Sequence, residues 1–200
     1  MQLNHAKQIA ANITDTLLPH TERLHIAGSV RRQKSEVHDI EFCCTPKKIF
    51  IPTDLFGEGY KVTAPGFIQA IDTLAWKVIK GRPDGRMMQI ELKEQHINLD
   101  LFMPELYDYY RIYAIRTGSA DYSQKVLAGG WRAKGWVGTS EGLRLMKDCV
   151  ETPSGWKLCN KAAEKPPEWE SEEDFFDWLG LKWKEPKERE VKERNFNLSR

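Results

Sequence analysis

Residues 28–41 read GSVRRQKSEVHDIE, and they follow a short apolar run, Leu24 to Ala27. A strand, a Gly-Ser turn, two arginines and a second strand opening HDIEFCC are compressed into twenty residues. On a strand, side chains at i and i+2 share a face. Asp39 and Glu41 are therefore expected to point together while Ile40 and Phe42 enter a core. Further along, Asn98-Leu99-Asp100-Leu101 repeats the alternation, with Asp100 on a polar face between buried leucines. Three carboxylates from two neighbouring strands make an all-oxygen site suited to Mg²⁺ or Mn²⁺. Two such ions can activate an attacking hydroxyl and stabilise a leaving pyrophosphate in an in-line displacement. Gly28 and Ser29 offer backbone amides and a hydroxyl to phosphate oxygens, because glycine lets the chain approach closely. Arg32 can neutralise a β- or γ-phosphate through a charge-assisted fork.

Working outward, the spacing of Ala6, Ile9, Ala10, Ile13 and Leu17 predicts a helix over about Leu3 to Leu18. Lys47 to Ala64 reads as irregular connection. Pro65 suits a helix start, since the first turn does not use the amide that proline lacks. WKVIKG and RMMQIEL, separated by Arg82-Pro83-Asp84-Gly85, read as a hairpin. HINLDLFMP reads as a strand ended by Pro104, followed by a helix over Tyr107 to Ile115 and another from Ser119 or Ala120 toward Leu127. That last helix is expected to stop at Gly129-Gly130. SEEDFFDWLGL (171–181) reads as a capped amphipathic helix, and the charged tail after Arg189 as mobile. The fold class expected is α+β, a mixed sheet flanked by helices followed by a smaller C-terminal α+β unit.

Composition sets bounds. The chain has 200 residues with 40% hydrophobic and 30% charged, a globular rather than disordered balance. A net charge of +1 does not advertise nucleic-acid binding, so any phosphate-facing surface must come from local clustering. No apolar run is long enough for a bilayer and the N-terminus lacks a signal-peptide layout, so a cytoplasmic location and no membrane partner are expected. Cys43, Cys44, Cys149 and Cys159 show no CxxC pair, which favours reduced, structural thiols over a zinc site.

Taken together, GSVRRQKSEVHDIE resembles the GS…RR…DxD signature of polymerase-beta-like nucleotidyltransferases, and among them the family X DNA polymerases. INLDLF resembles the strand bearing that family's third carboxylate, and RTGSADYS (116–123) its TGS turn and nucleotide-binding helix. SEEDFFDWLGLKWKEPKERE (171–190) is similar to the family's C-terminal end, where a helix leads into a W-K/R-x-P-x-x-R segment. The resemblance runs from about Ala27 to Arg189. It implies a nucleotidyltransferase palm over residues 1–106 and a thumb-like nucleotide- and DNA-binding subdomain over 107–200, the minimal palm-plus-thumb form of phage or viral type.

The resemblance also implies roles. Asp39 and Glu41 ligate two Mg²⁺ (or Mn²⁺) ions; Asp100 holds the catalytic ion and takes the proton of the primer 3′-hydroxyl. Gly28, Ser29 and Arg32 hold the triphosphate, Thr117 and Gly118 lie beside the incoming sugar and base, and Ser123 faces the base edge. Asn98 stands where an arginine often hydrogen-bonds the third carboxylate. The implied activity is DNA polymerisation on short gaps or ends, template-directed or weakly templated. Its partners are a nucleoside triphosphate and primer/template or gapped DNA, and the chain is expected to be a monomer. No lyase or helix-hairpin-helix domain is expected ahead of the palm. The chain departs from the family in three places: Glu41 replaces an aspartate, Ile115 and Arg116 replace an aromatic pair, and Ser123 and Leu127 stand where polar or basic residues often touch the base. Rival readings are a transferase placing one nucleotide on RNA, protein or a small molecule, and a nucleotide-binding module with a degenerate palm. Arg31 is expected in a salt bridge, His38 in a structural or solvent-facing role, and the tryptophans of the last third in a core. Lys77, Lys80, Arg82, Arg86, Lys125, Arg132 and Lys134 read equally as a phosphate-binding cleft or as scattered solvated charge.

Overall fold

The computed structural model describes residues 1–54, 57–160 and 162–191. Helix α1 (Leu3–Leu17) buries Ala6, Ile9, Ala10, Ile13 and Leu17 along one stripe, the spacing of a helix face turned to a core. Strand β1 (Thr21–Ile26) leads to a single helical turn, α2 (Gly28–Arg31), and then to β2 (Ile40–Pro46). Next come β3 (Lys48–Pro52), β4 (Gly59–Thr63) and α3 (Pro65–Leu74), which carries proline in its first turn. The hairpin β5 (Ala75–Gly81) and β6 (Met87–Leu92) precedes β7 (Asn98–Phe102).

Five of these strands form one sheet in the order β1-β2-β7-β6-β5, with β2 and β7 parallel and the other neighbours antiparallel. The mixed sheet and its flanking helices are the α+β architecture that the sequence implies. Ile40, Phe42, Cys44, Leu99, Leu101, Met88 and Ile90 face α1 and α3 and are buried among their apolar residues. Strict alternation then turns Glu41, Asp100 and Gln89 to the opposite face.

That opposite face is only partly covered. Helix α4 (Tyr109–Thr117) lays Tyr109 and Tyr113 over Cys43 and Ala27, and the Tyr109 hydroxyl donates to the Cys43 carbonyl at 2.8 Å. All four cysteines are free thiols, with Cys43 and Cys44 buried. Beyond α4, a short helix α5 (Ala120–Tyr122), a π-helical turn (Ser123–Leu127) and α6 (Ala128–Ala133) run on without a break. A second sheet, order β10-β11-β8-β9, follows: β8 (Trp136–Thr139), β9 (Gly142–Leu145), β10 (Cys149–Thr152) and β11 (Gly155–Leu158). Helix α7 (Glu172–Leu179) closes this unit. Its N-terminus is a capping box, with Ser171 Oγ accepting from Asp174 and Asp174 accepting in return, and Gly180 ends it in the left-handed region. The core here is aromatic: Tyr122, Trp131, Trp136, Trp169, Phe175 and Phe176 are buried together.

Two expectations are corrected. Residues 48–52 and 59–63 are not irregular; they form the two-stranded ribbon β3–β4. Most side chains of the ribbon are exposed, so it lacks the in-out alternation by which a strand is read. The helix after Thr117-Gly118 does not stop at Gly129-Gly130. Gly130 lets α6 lie against α7, where a Cβ would stand 3.2 Å from Leu179 Cδ2. The tail expected to be mobile after Arg189 lies outside the described residues from residue 192 on, while Arg189 is fully buried and Glu190 ion-pairs with Lys34. No helix among the described residues is long and apolar enough to cross a membrane.

Candidate functional site

The parallel pairing of β2 with β7 sets Glu41 directly beside Asp100. Neighbouring strands lie about 4.8 Å apart, so the two carboxylates share one edge of the open face. Asp39 stands just ahead of β2, outside the ladder and two residues from Glu41. Burial, then Asp39 and then Asp100 push the Glu41 carboxyl up to about 7, with Arg32 and Arg116 opposing. Asp100 is raised too, first by burial and also by Asp39, against a hydrogen bond from Gln89 and the charges of Lys80 and Arg116.

Glu41 occupies space that only glycine leaves free. Gly28 has φ +58°, and a Cβ there would overlap the Glu41 carboxylate. The extra methylene of glutamate thus carries its carboxylate onto the Gly-Ser turn. Beside that contact, Ser29 Oγ is buried with no hydrogen-bond partner among the described residues, while Arg32 Nε, also without a hydrogen bond, stands 3.5 Å from a Glu190 carboxylate oxygen. Buried polar groups are nearly always satisfied, so the orphaned Ser29 hydroxyl marks a place for an acceptor such as a phosphate oxygen.

These residues fit divalent cations chemically: the ligand atoms are all oxygens, and their charges repel one another. Among the described residues no three His, Cys, Asp or Glu side chains form a closed ligand cluster. Strand register brings Glu41 and Asp100 together, but the trio does not close on itself.

A cleft of about 400 Å³ opens beside Glu41. Arg32, Arg116, Gly118 and Ser123 are among its walls. Ser123 Oγ donates to the Ile115 carbonyl at 2.8 Å, which leaves its lone pairs toward the cleft as acceptors. Thr117 is different. It is fully buried; its hydroxyl accepts from Arg31 at 2.5 Å and its carbonyl accepts from Arg32 at 2.7 Å. Its polar atoms are used in joining α4 to α2, not turned to the cleft. Asn98 does not support the third carboxylate either. It is exposed at the start of β7, and Gln89, which faces Asp100 across the β6–β7 ladder, donates to Asp100 Oδ1 at 2.5 Å.

Behind the cleft sits a second acidic centre that sequence reasoning missed. Glu172, the first residue of α7, accepts from both nitrogens of Arg31 at 2.9 Å and from both of Arg189 at 2.6 and 2.7 Å. The Trp183 indole adds a third donor at 3.1 Å. Burial by itself raises this carboxyl, but the hydrogen bonds of Arg189 and Arg31 overrule it and hold it down at about 2. Arg31 also lies flat over Tyr113, 3.8 Å from the ring centre. The Arg31 salt bridge was expected; its partner, 141 residues away in sequence, was not. Among the residues read from sequence, Asp39, Glu41, Asp100, Gly28, Ser29, Arg32, Gly118 and Ser123 thus cluster around one edge and its cleft. His38 is exposed beside Asp39, and the tryptophans Trp131, Trp136, Trp169 and Trp178 pack in or against the aromatic core.

No curated protein matches the chain. Residues 114–190, which hold the aromatic core, the TGS turn and Glu172, match the family model of the DNA polymerase beta thumb and are in that respect related to family X DNA polymerases.

Proposed function

We propose that this chain is a DNA polymerase of family X type that fills short gaps, adding nucleotides to a primer 3′-hydroxyl with release of pyrophosphate. The observation that carries the reading is the pairing of Asp100 with Glu41, which lines a cleft, next to a segment matching a polymerase thumb. Either feature alone is weak. A carboxylate pair on a sheet is commonly a solvated face, and a thumb has no chemistry of its own.

In this mechanism Asp39, Glu41 and Asp100 would hold divalent cations. Bound there, the cations supply charge neutralisation for the attacking and leaving oxygens of an in-line displacement. Asp100, kept in place by Gln89, accepts the proton of the 3′-hydroxyl. The bond from that oxygen to the α-phosphorus forms as the bond from the α-phosphorus to the pyrophosphate oxygen breaks. Ser29 Oγ, which has no hydrogen-bond partner among the described residues, and the Arg32 guanidinium hydrogen-bond the triphosphate, and Gly28 gives it backbone access. Gly118 and Ser123 line the side where the nucleoside lies.

The test is incubation of labelled dNTPs and NTPs with gapped duplex DNA, with RNA and with no primer, in Mg²⁺ and in Mn²⁺. The proposal expects products extended by single nucleotides on the gapped duplex, dependent on the added cation. Labelling of RNA alone, or of the protein without primer, would favour a transferase of another kind. Cation-dependent nucleotide binding with no product would favour a degenerate palm.

A further inference from the structure

The open face of the sheet has a charge order. One row crosses it in register, Glu41 on β2, Asp100 on β7, Gln89 on β6 and Lys80 on β5. Lys80 lies two strands from Asp100, about 10 Å across the sheet. Along β7, Phe102 is two residues beyond Asp100 and on the same face, about 7 Å away. The guanidinium of Arg116 sits on that ring, 4.0 Å from its centre, a cation–π seat that fixes its position without consuming its N–H donors. Arg116 makes no hydrogen bond or ion pair with any described residue, and neither does Lys80. Arg32 differs, being tied to the Thr117 carbonyl and within 3.5 Å of Glu190. The electrostatics agree with this order: Arg32 acts on Glu41, Lys80 on Asp100, and Arg116 on both.

We infer that Arg116 and Lys80 form an acceptor-strand subsite, gripping the phosphodiester nearest the 3′-hydroxyl of a DNA strand whose end rests at Asp100. The inference rests on the polymerase reading above. Two uncommitted cations flank the Asp100 end of the carboxylate row, while the Gly28-Ser29-Arg32 group serves the Glu41 end. A strand whose terminal hydroxyl meets Asp100 carries its nearest phosphate within one nucleotide of it, a span that matches both cations. Triphosphate binding by the same pair would leave the orphaned Ser29 hydroxyl without a role.

The test measures binding of gapped duplex DNA by fluorescence anisotropy, with neither cation nor nucleotide present, so that it reads even if no extension occurs. Arg116→Gln and Lys80→Gln are each expected to weaken DNA binding about five- to ten-fold at moderate salt. Each should also lower the salt slope by about 0.9, the loss of one phosphate contact. A single methylphosphonate at the primer's 3′-terminal linkage removes the charge from the other side. It should weaken wild-type binding by a similar factor and leave the doubly substituted protein unaffected. Lys93→Gln, the same charge change at the far end of the hairpin, should leave affinity unchanged. The inference is overturned if the two variants bind within two-fold of wild type. It is equally overturned if Lys93→Gln weakens binding as much, if the methylphosphonate still costs the double variant its affinity, or if only the nucleotide KM rises.

Discussion

Glu41 and Glu172 are both largely buried carboxylates at the junction between the first sheet and the C-terminal unit, and their surroundings are opposite. Glu172 meets two forked guanidiniums and an indole N–H, and its carboxyl is held near 2. Glu41 is buried beside two other acids, and burial first, then Asp39 and Asp100, push its carboxyl up to about 7. A buried charge with every lone pair occupied is a structural joint, because removing a partner strands the rest. A buried charge crowded by like charges is a defect in the folded state unless something cationic joins it. The contrast separates the part of the molecule that holds itself together from the part built to hold something else.

The comparison can be broken from either side. The largest effect on stability is expected at the joint. Glu172→Ala leaves Arg31 and Arg189 facing each other without an anion, at a cost of about 3–5 kcal/mol in urea denaturation; a loss below about 1 kcal/mol would remove the joint from the account. Its pH dependence has a definite sign. The carboxyl is depressed in the folded state, so its contribution is present above the ordinary carboxylate range and is lost as pH falls through about 2. Acid denaturation of wild type should accordingly extend to lower pH than that of Glu172→Gln.

Glu41 runs the other way. Its folded carboxyl is raised, so its contribution is fully present below about 4.5 and is lost as pH rises through about 7. Glu41→Gln is therefore expected to raise the cation-free Tm by a few degrees at pH 8 and to give no gain at pH 4.5. Adding Mg²⁺ at pH 8 should recover the same few degrees in wild type and fewer in the variant. Equal gains at both pH values would mean that the acids do not strain the fold. The smallest effect belongs to Thr117. Thr117→Val removes one hydrogen bond to Arg31 and should cost about 1 kcal/mol of stability, with the nucleotide KM within two-fold of wild type. A KM rise well beyond that would return Thr117 to the cleft.

Much of this was legible in the sequence, and the reason is locality. Alternation fixed the faces of Ile40, Glu41, Phe42, Leu99, Asp100 and Leu101, and a serine followed by acids located the capped start of α7. What escaped is non-local or ambiguous in pattern. Gln89 meets Asp100 only through the register of β6 on β7, which needs the loop before Asn98 to be counted correctly. Glu172 reads locally as one acid among three at a helix start; its role comes from Arg31, far away in the chain. Thr117 sits in a motif that suggests ligand contact, yet its helix turns its hydroxyl inward. The β3–β4 ribbon has strand residues but no buried face to reveal them.

The central claim is that Asp39, Glu41 and Asp100 act as one cation-holding edge for nucleotidyl transfer. Single-nucleotide incorporation into a gapped duplex by Asp39→Asn and Asp100→Asn, alongside Mn²⁺ binding and thermal melting, tests it most directly. Each substitution is expected to cut incorporation on the order of 10³-fold and to weaken Mn²⁺ binding, with a Tm at or above that of wild type. Incorporation retained within about ten-fold in either variant, with the protein folded, would contradict the assignment.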